Sequence, residues 1–180
     1  LVVIERILAE KRMEREREIL KFYISDVALE SARQNSQNNF NLNNMRAKEI
    51  YATVMFSDIA QFTRTCEKLN PLDLINLLND YFDLMCSILK RNNAVIDKFI
   101  GDAIMAIFPD KENGSYNAVK SGCEMIKALE EFNLDRATPL HTRIGINYGK
   151  VFIGDIGSKA HRRDFTVIGD TVNIGQRLES

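Results

Sequence analysis

The chain has 180 residues, 45% of them apolar, which is enough to bury one core of ordinary domain size with an appendage and excludes a disordered protein. Its 24 Lys and Arg nearly cancel 25 Asp and Glu, which excludes the global basic field that binds nucleic acid or an anionic membrane; any phosphate recognition rests on local charge. Three cysteines, Cys66, Cys86 and Cys123, without a C-x-x-C pair, argue against a disulfide framework and a zinc site, and read as buried, reduced, cytoplasmic thiols.

From Leu1 to about Leu29 the residues are helix formers, with no Gly or Pro. A heptad seam at positions 1, 4, 8, 11, 15, 18 and 22 reads Leu, Ile, Leu, Lys, Arg, Glu, Phe and is apolar only at its ends, so the segment is either a signalling helix or a solvated one. No apolar run reaches the roughly 18 residues of a membrane span. The first residue is not Met, so the expectation is a cytoplasmic fragment whose upstream part can carry a sensor or a membrane tether. Ser31 to Asn44 is rich in Asn, Gln and Ser and reads as a mobile connection. The divisions are therefore 1–30 linker helix, 31–45 connection and 46–180 compact domain.

Within that domain Tyr51 to Asp58 predicts a strand, and Pro71 to Asn92 a helix capped by Asn70, with Leu74, Leu78, Tyr81, Met85 and Ile88 at helical spacing. Ala94 to Ile100 and Ala103 to Phe108 form a hairpin around Gly101-Asp102, and Tyr116 to Phe132 forms the next helix. Leu140 to Asn147 and Val151 to Asp155 read as two strands separated by Tyr148-Gly149-Lys150; Phe165 to Ile168 is a further strand, and Thr171 opens a terminal helix. Strand, helix, two strands, helix, strand is the order of a ferredoxin-like α+β fold, an antiparallel sheet with packed helices, here preceded by an N-terminal helix.

Asp58 and Asp102 each end a strand-like apolar run, and two such carboxylates from adjacent strands can converge. Hard oxygen ligands of this kind hold Mg²⁺, which completes its shell with water and substrate phosphate. Taken singly, Asp58 reads equally well as a helix cap and Asp102 as a hairpin turn.

Three blocks decide between these readings: Phe56-Ser57-Asp58-Ile59-Ala60-Gln61-Phe62-Thr63, Lys98-Phe99-Ile100-Gly101-Asp102-Ala103, and Phe165 to Glu179 with Ile168-Gly169-Asp170-Thr171-Val172-Asn173 at its centre. With Arg143-Ile144-Gly145-Ile146 they resemble the class III nucleotidyl cyclase catalytic domain over roughly residues 46 to 180. Phe22-Tyr23-Ile24-Ser25 is similar to the short segment that often precedes this domain in bacterial members.

The resemblance implies conversion of ATP to 3′,5′-cyclic AMP and pyrophosphate at a homodimer interface. It implies two Mg²⁺ or Mn²⁺ ions per site, held by Asp58, Asp102 and the backbone carbonyl of Ile59, with no part for nucleic acid. It makes Lys98 and Thr166 the purine-reading pair, Arg143 the terminal-phosphate cation, and Asn173 and Arg177 the catalytic residues that position ribose and stabilise charge on the transferring phosphate. Lys98 favours ATP, because an ammonium only donates and adenine N1 accepts, whereas guanylyl members typically carry Glu and Cys at these two positions. Thr166 is similar to the Thr variant of a bacterial adenylyl subgroup. Family domains continue past the helix of Asn173 and Arg177 into strands that supply a phosphate-binding Lys, which has no counterpart here, so the C-terminal part of the domain is expected to be absent. Gly175 stands where family members usually have Ala, a change of about 1 kcal/mol if exposed. The rival readings are a catalytically silent dimeric signalling module, which retention of Asp58, Asp102, Asn173 and Arg177 disfavours, and a guanylyl cyclase, which Lys98 disfavours. A diguanylate cyclase or polymerase-like palm would need a Gly-Gly-Asp/Glu-Glu-Phe run that is missing.

Overall fold

The computed structural model describes residues 2–21, 24, 28, 47–158, 161 and 163–180. Helix α1 is Val2–Lys21, exposed along residues 9–20. The expected continuation to Leu29 falls largely outside the described residues, as does the connection at 31–45.

Strand β1, Lys48–Ile59, starts earlier than its apolar run because Lys48, Glu49 and Tyr51 lie on an outer stretch paired with the far end of β4. A short helix α2, Phe62–Cys66, follows; nothing in its five residues gives helical periodicity, and it was not expected. Helix α3, Pro71–Arg91, begins as its sequence predicts: Asn70 Oδ1 accepts from the Asp73 amide at 3.0 Å and Pro71 occupies the first turn. The hairpin of β2, Val95–Ile100, and β3, Ala103–Phe108, turns on Gly101 at φ 64°, a left-handed conformation open to glycine. Helix α4, Gly114–Asn133, is tied to α3 by Glu124, which accepts from Asn92 at 2.8 Å and from Arg91 at 3.0 Å.

Strand β4, Thr142–Gly157, is one continuous strand of 16 residues, not the two expected. Tyr148-Gly149-Lys150 reads as a turn locally, yet all three residues pair with β1 opposite Thr53, Ala52 and Tyr51. Long-range pairing overrides the local turn preference. Strand β5, Arg163–Ile168, and helix α5, Asp170–Glu179, complete the chain.

The sheet order is β2-β3-β1-β4-β5, antiparallel throughout. Its first four strands have the ferredoxin-like order, and β5 extends the edge. Alternation along β1 sends Met55 and Ile59 to one face, where Tyr81, Met85, Met125 and Leu129 of α3 and α4 pack with Ile104, Ala106 and Phe108. Val54 and Phe56 point the other way and pack with Met105, Ile107, Val151 and Val167 beside Val172 of α5. The thiols differ from expectation: Cys123 is exposed on α4, and Cys66 and Cys86 are only half-buried. His161 is exposed, as its basic neighbourhood predicts.

Candidate active site

Asp58 is the penultimate residue of β1, and Asp102 lies with Gly101 in the turn that leads into β3. Because Ser57 pairs with Ile104, the two carboxylates leave neighbouring strands at the same sheet end. They crowd each other: burial first, then contact with and charge from Asp58, push the Asp102 carboxyl up to about 6, while the Ile59 and Asp102 amides pull it down. Asp102 Oδ2 is buried with no hydrogen-bond partner. On the other side β4 places Arg143 directly opposite Asp58, and its Nη2 donates to Asp58 Oδ2 at 2.7 Å. Arg143 Nε also lies 3.3 Å from Glu179 Oε1, an ion pair without hydrogen-bond geometry. Burial, then Asp58, raises the Glu179 carboxyl. One guanidinium therefore stands among three acids.

Beneath this cluster Tyr81 is fully buried, with its hydroxyl 3.1 Å from Thr142 Oγ1, which donates in turn to the Asp58 carbonyl at 3.2 Å. Burial, with Asp58 and Asp102 adding to it, pushes the Tyr81 phenol up to about 12, so it stays neutral and packs the end of β1 in place. In the sequence Tyr81 is only one member of an apolar stripe.

Helix α5 lies across β4 at spacings set by both elements. Gly149, Asn147, Gly145 and Arg143 alternate onto one face of the strand; Thr171, Gly175 and Glu179 recur every four residues on one face of the helix. A Cβ at Gly149 would lie 2.6 Å from Thr171 Oγ1, and one at Gly145 would lie 2.5 Å from Glu179 N and closer still to Gly175 O. Thr171 is clamped further, donating to Lys150 O at 2.7 Å and accepting at its carbonyl from Asn147 at 2.9 Å. Gly175 is buried against Phe56, so its helix-propensity cost as an exposed residue does not arise. The opposite face of α5 presents Asn173 and Arg177, both exposed and one turn apart.

A second polar cluster sits where the two sheet edges meet. Strands β2 and β5 are at opposite ends of the strand order, yet Thr166 Oγ1 donates to Asp97 Oδ2 at 2.6 Å, so the sheet coils until its edges touch. Lys98 Nζ lies 3.6 Å from the same oxygen. The register of β2 against β3 shifts between Ile96 and Lys98, and Asp97 at that irregularity is turned inward and only 1% exposed.

The model for the adenylate and guanylate cyclase catalytic domain matches residues 45–180. The chain belongs to that family. Its cyclase domain is 41% identical over 131 residues to the terminal-differentiation-specific adenylate cyclase of Dictyostelium discoideum, covering 71% of this chain and 6% of that protein. It is 36% identical over 135 residues to an adenylate cyclase of Anabaena cylindrica, covering 71% of this chain and 26% of the other. The chain therefore spans about a quarter or less of these curated relatives. A bacterial light-regulated adenylyl cyclase superposes with TM-score 0.87 at 28% identity, over 99% of this chain and 52% of that one. The guanylyl cyclase Cya2 gives TM-score 0.70 at 36% identity, over 75% and 72%. No described helix is long and apolar enough to cross a membrane.

Within the cyclase domain the expected site residues fall into three groups. Asp58, Asp102 and Arg143 come together beside Ile59, whose side chain is buried and leaves its backbone as the only donor to a site. Lys98 and Thr166 come together through Asp97. Asn173 and Arg177 share the exposed face of α5. No set of three or more His, Cys, Asp or Glu able to cage a metal occurs among the described residues. Two crowded carboxylates, one with a buried unpartnered oxygen, fit a divalent ion that takes its remaining ligands from substrate and water. Sequence reasoning missed Asp97 and Glu179. Both stand beside motif residues, but only the coiled sheet and the α5 crossing reveal their partners.

Proposed function

We propose that this cyclase domain converts ATP to 3′,5′-cyclic AMP and pyrophosphate at sites shared by two copies of the chain. The observation that carries the choice of ATP is the Lys98–Thr166 pair at the coiled sheet edge: an ammonium that only donates, suited to adenine N1, beside a hydroxyl able to accept from the 6-amino group. Asp58, Asp102 and the Ile59 carbonyl would hold two Mg²⁺ or Mn²⁺ ions, which when bound supply Lewis acidity toward the ribose 3′-hydroxyl and the triphosphate. The 3′-hydroxyl oxygen attacks the α-phosphorus as its proton is released to water, the bond to the bridging oxygen of the β-phosphate breaks, and pyrophosphate leaves. Arg177 offers planar donors to the phosphate oxygens as charge builds, Asn173 orients the ribose, and Arg143 exchanges Asp58 for the terminal phosphate.

The exposed position of Asn173 and Arg177, on the helix face turned from their own sheet, supports service to a partner's site. A two-fold pairing sets Asp58, Asp102 and Arg143 of one copy against Lys98, Thr166, Asn173 and Arg177 of the other. Mixing Asp58→Ala with Arg177→Ala protein, each inactive alone, is then expected to restore part of the activity, since one heterodimer site is intact; no recovery after verified subunit exchange would rule out shared sites. The segments at 1–30 and 31–45 are read as the link to an upstream sensor, with a membrane tether outside the chain compatible with this layout.

The test is product formation from ATP and GTP with Mg²⁺ and Mn²⁺ over a protein concentration series. Cyclic AMP with specific activity rising with concentration is expected; no product from either nucleotide by a dimeric preparation would leave a silent signalling module. Since similar solved structures include a guanylyl cyclase, the base reading is tested separately. Lys98→Glu with Thr166→Cys should move preference toward GTP by at least about tenfold, because a site built to hydrogen-bond one base edge leaves buried groups unpaired with the other.

A further inference from the structure

We propose that Asp97 is a specificity-determining positioning residue: its buried carboxylate accepts the hydrogen bond of the Thr166 hydroxyl and so presents Thr166 Oγ1 to the purine as an acceptor. The inference rests on the reading that Lys98 and Thr166 face the base. A hydroxyl carries one proton and two lone pairs, and unconstrained it serves an amino group or a carbonyl equally well. Here that freedom is removed. Thr166 donates to Asp97 Oδ2 at 2.6 Å, within the range of hydrogen bonds to an ionised acceptor. Only lone pairs are left to face outward, which suits the 6-amino group of adenine and opposes the 6-oxo group of guanine.

Lys98 Nζ, 3.6 Å from the same oxygen, adds charge of the sign that favours an ionised acceptor. Burial raises the Asp97 carboxyl, and Thr166 and then Lys98 pull against that rise. Stability does not account for the residue. Asp97 is 1% exposed, its Oδ1 has no hydrogen-bond partner, and a buried ion pair gives little net stabilisation over apolar packing. What the arrangement supplies is the direction of one proton.

The experiment measures kcat and KM for ATP and GTP in the full-length protein and in Asp97→Asn, Thr166→Val and the double variant, with thermal midpoints recorded for each. In Asp97→Asn the amide can turn its N–H₂ toward Thr166, freeing the hydroxyl proton to point outward. The ratio of kcat/KM for ATP over GTP should fall about tenfold, with the loss for ATP appearing more in KM than in kcat. In the Thr166→Val background the same substitution should change the ratio less than about twofold, since the route through the hydroxyl is gone. Asp97→Ser replaces Asp97→Asn if the latter fails to fold. A ratio unchanged by either Asp97 substitution, while Thr166→Val shifts it, overturns the proposal and leaves the base-reading pair standing. A ratio unchanged by Thr166→Val itself overturns that reading, and the proposal with it. An equal effect of Asp97→Asn with and without the hydroxyl would mean a structural role and also overturns the proposal.

Discussion

Replacing Asp102 by Asn is expected to cut cyclic nucleotide formation by about a thousandfold and, in the same protein, to raise the melting temperature of the metal-free form. The first effect follows from removing a hard anionic ligand from a site that would otherwise supply several kcal/mol of charge stabilisation. The second follows from the crowding of Asp58 and Asp102. A carboxyl raised to about 6 from 3.8 binds more protons folded than unfolded between those values. Stability therefore falls as pH rises from about 4 to 6, and the penalty is complete above it. The full shift would be about 3 kcal/mol unscreened, but the residue is only partly buried and water screens the pair, so about 1 kcal/mol is a fair expectation. For a chain of this size that is a gain of about 2–4 °C. Melting in EDTA at pH 4.5 and 7.5 should show most of the gain at the higher pH, and saturating Mn²⁺ should reverse the order by stabilising the wild type alone. A variant that melts lower than wild type at both pH values would show that Asp102 supports the fold rather than straining it.

The sequence carried the parts of this structure that are written locally. Asn70-Pro71 set the start of α3, the stripe through Tyr81, Met85 and Ile88 set its buried face, and Gly101-Asp102 set the hairpin. Local reading failed where a distant strand decided the outcome. Tyr148-Gly149-Lys150 carries a turn composition, yet its backbone groups are taken by β1, and Gly149 is there because Thr171 of α5 comes within van der Waals reach. The site shows the same division. Asp58, Asp102 and Arg143 stand out because strand ends and motif spacing mark them, and the register of β1 with β4 places Asp58 opposite Arg143. Asp97 carries no such mark. It falls at the shift in β2 pairing, in an alternating strand that predicts only which of two faces it takes, and its partner Thr166 is 69 positions away at the opposite sheet edge. Only the coil of the whole sheet brings the pair together.

The seat of α5 gives the other large expected effect. Gly145→Ala adds one methyl group at a point where a Cβ would lie 2.5 Å from the Glu179 amide and closer to the Gly175 carbonyl, backbone on backbone, with no flexible side chain to yield. Either the helix lifts from β4 or the strand bends. Overpacking of this kind costs about 3 kcal/mol, a fall of about 6–12 °C in melting temperature. The functional loss should exceed what that destabilisation explains. Asn173 and Arg177 ride on the outer face of the helix whose inner face Gly145 supports, and a displacement of about 1 Å at the reacting groups costs on the order of a hundredfold in rate. Glu179 would move away from Arg143 in the same step, loosening the guanidinium beside Asp58. Assayed well below its own midpoint, Gly145→Ala should therefore retain a cooperative melt, lose kcat by about a hundredfold and keep the ATP over GTP ratio, because Lys98 and Asp97 stand on β2 and Thr166 on β5, and none of them is carried by α5. Gly122→Ala is the matched control: the three atoms nearest a Cβ there belong to the Ile144 and Ile146 side chains, at 3.7 Å or more, and it should leave both kcat and the melt close to wild type. Equal losses in the two variants would mean that the chain tolerates no methyl on either face of β4, and the seating of α5 would not be what holds the catalytic pair.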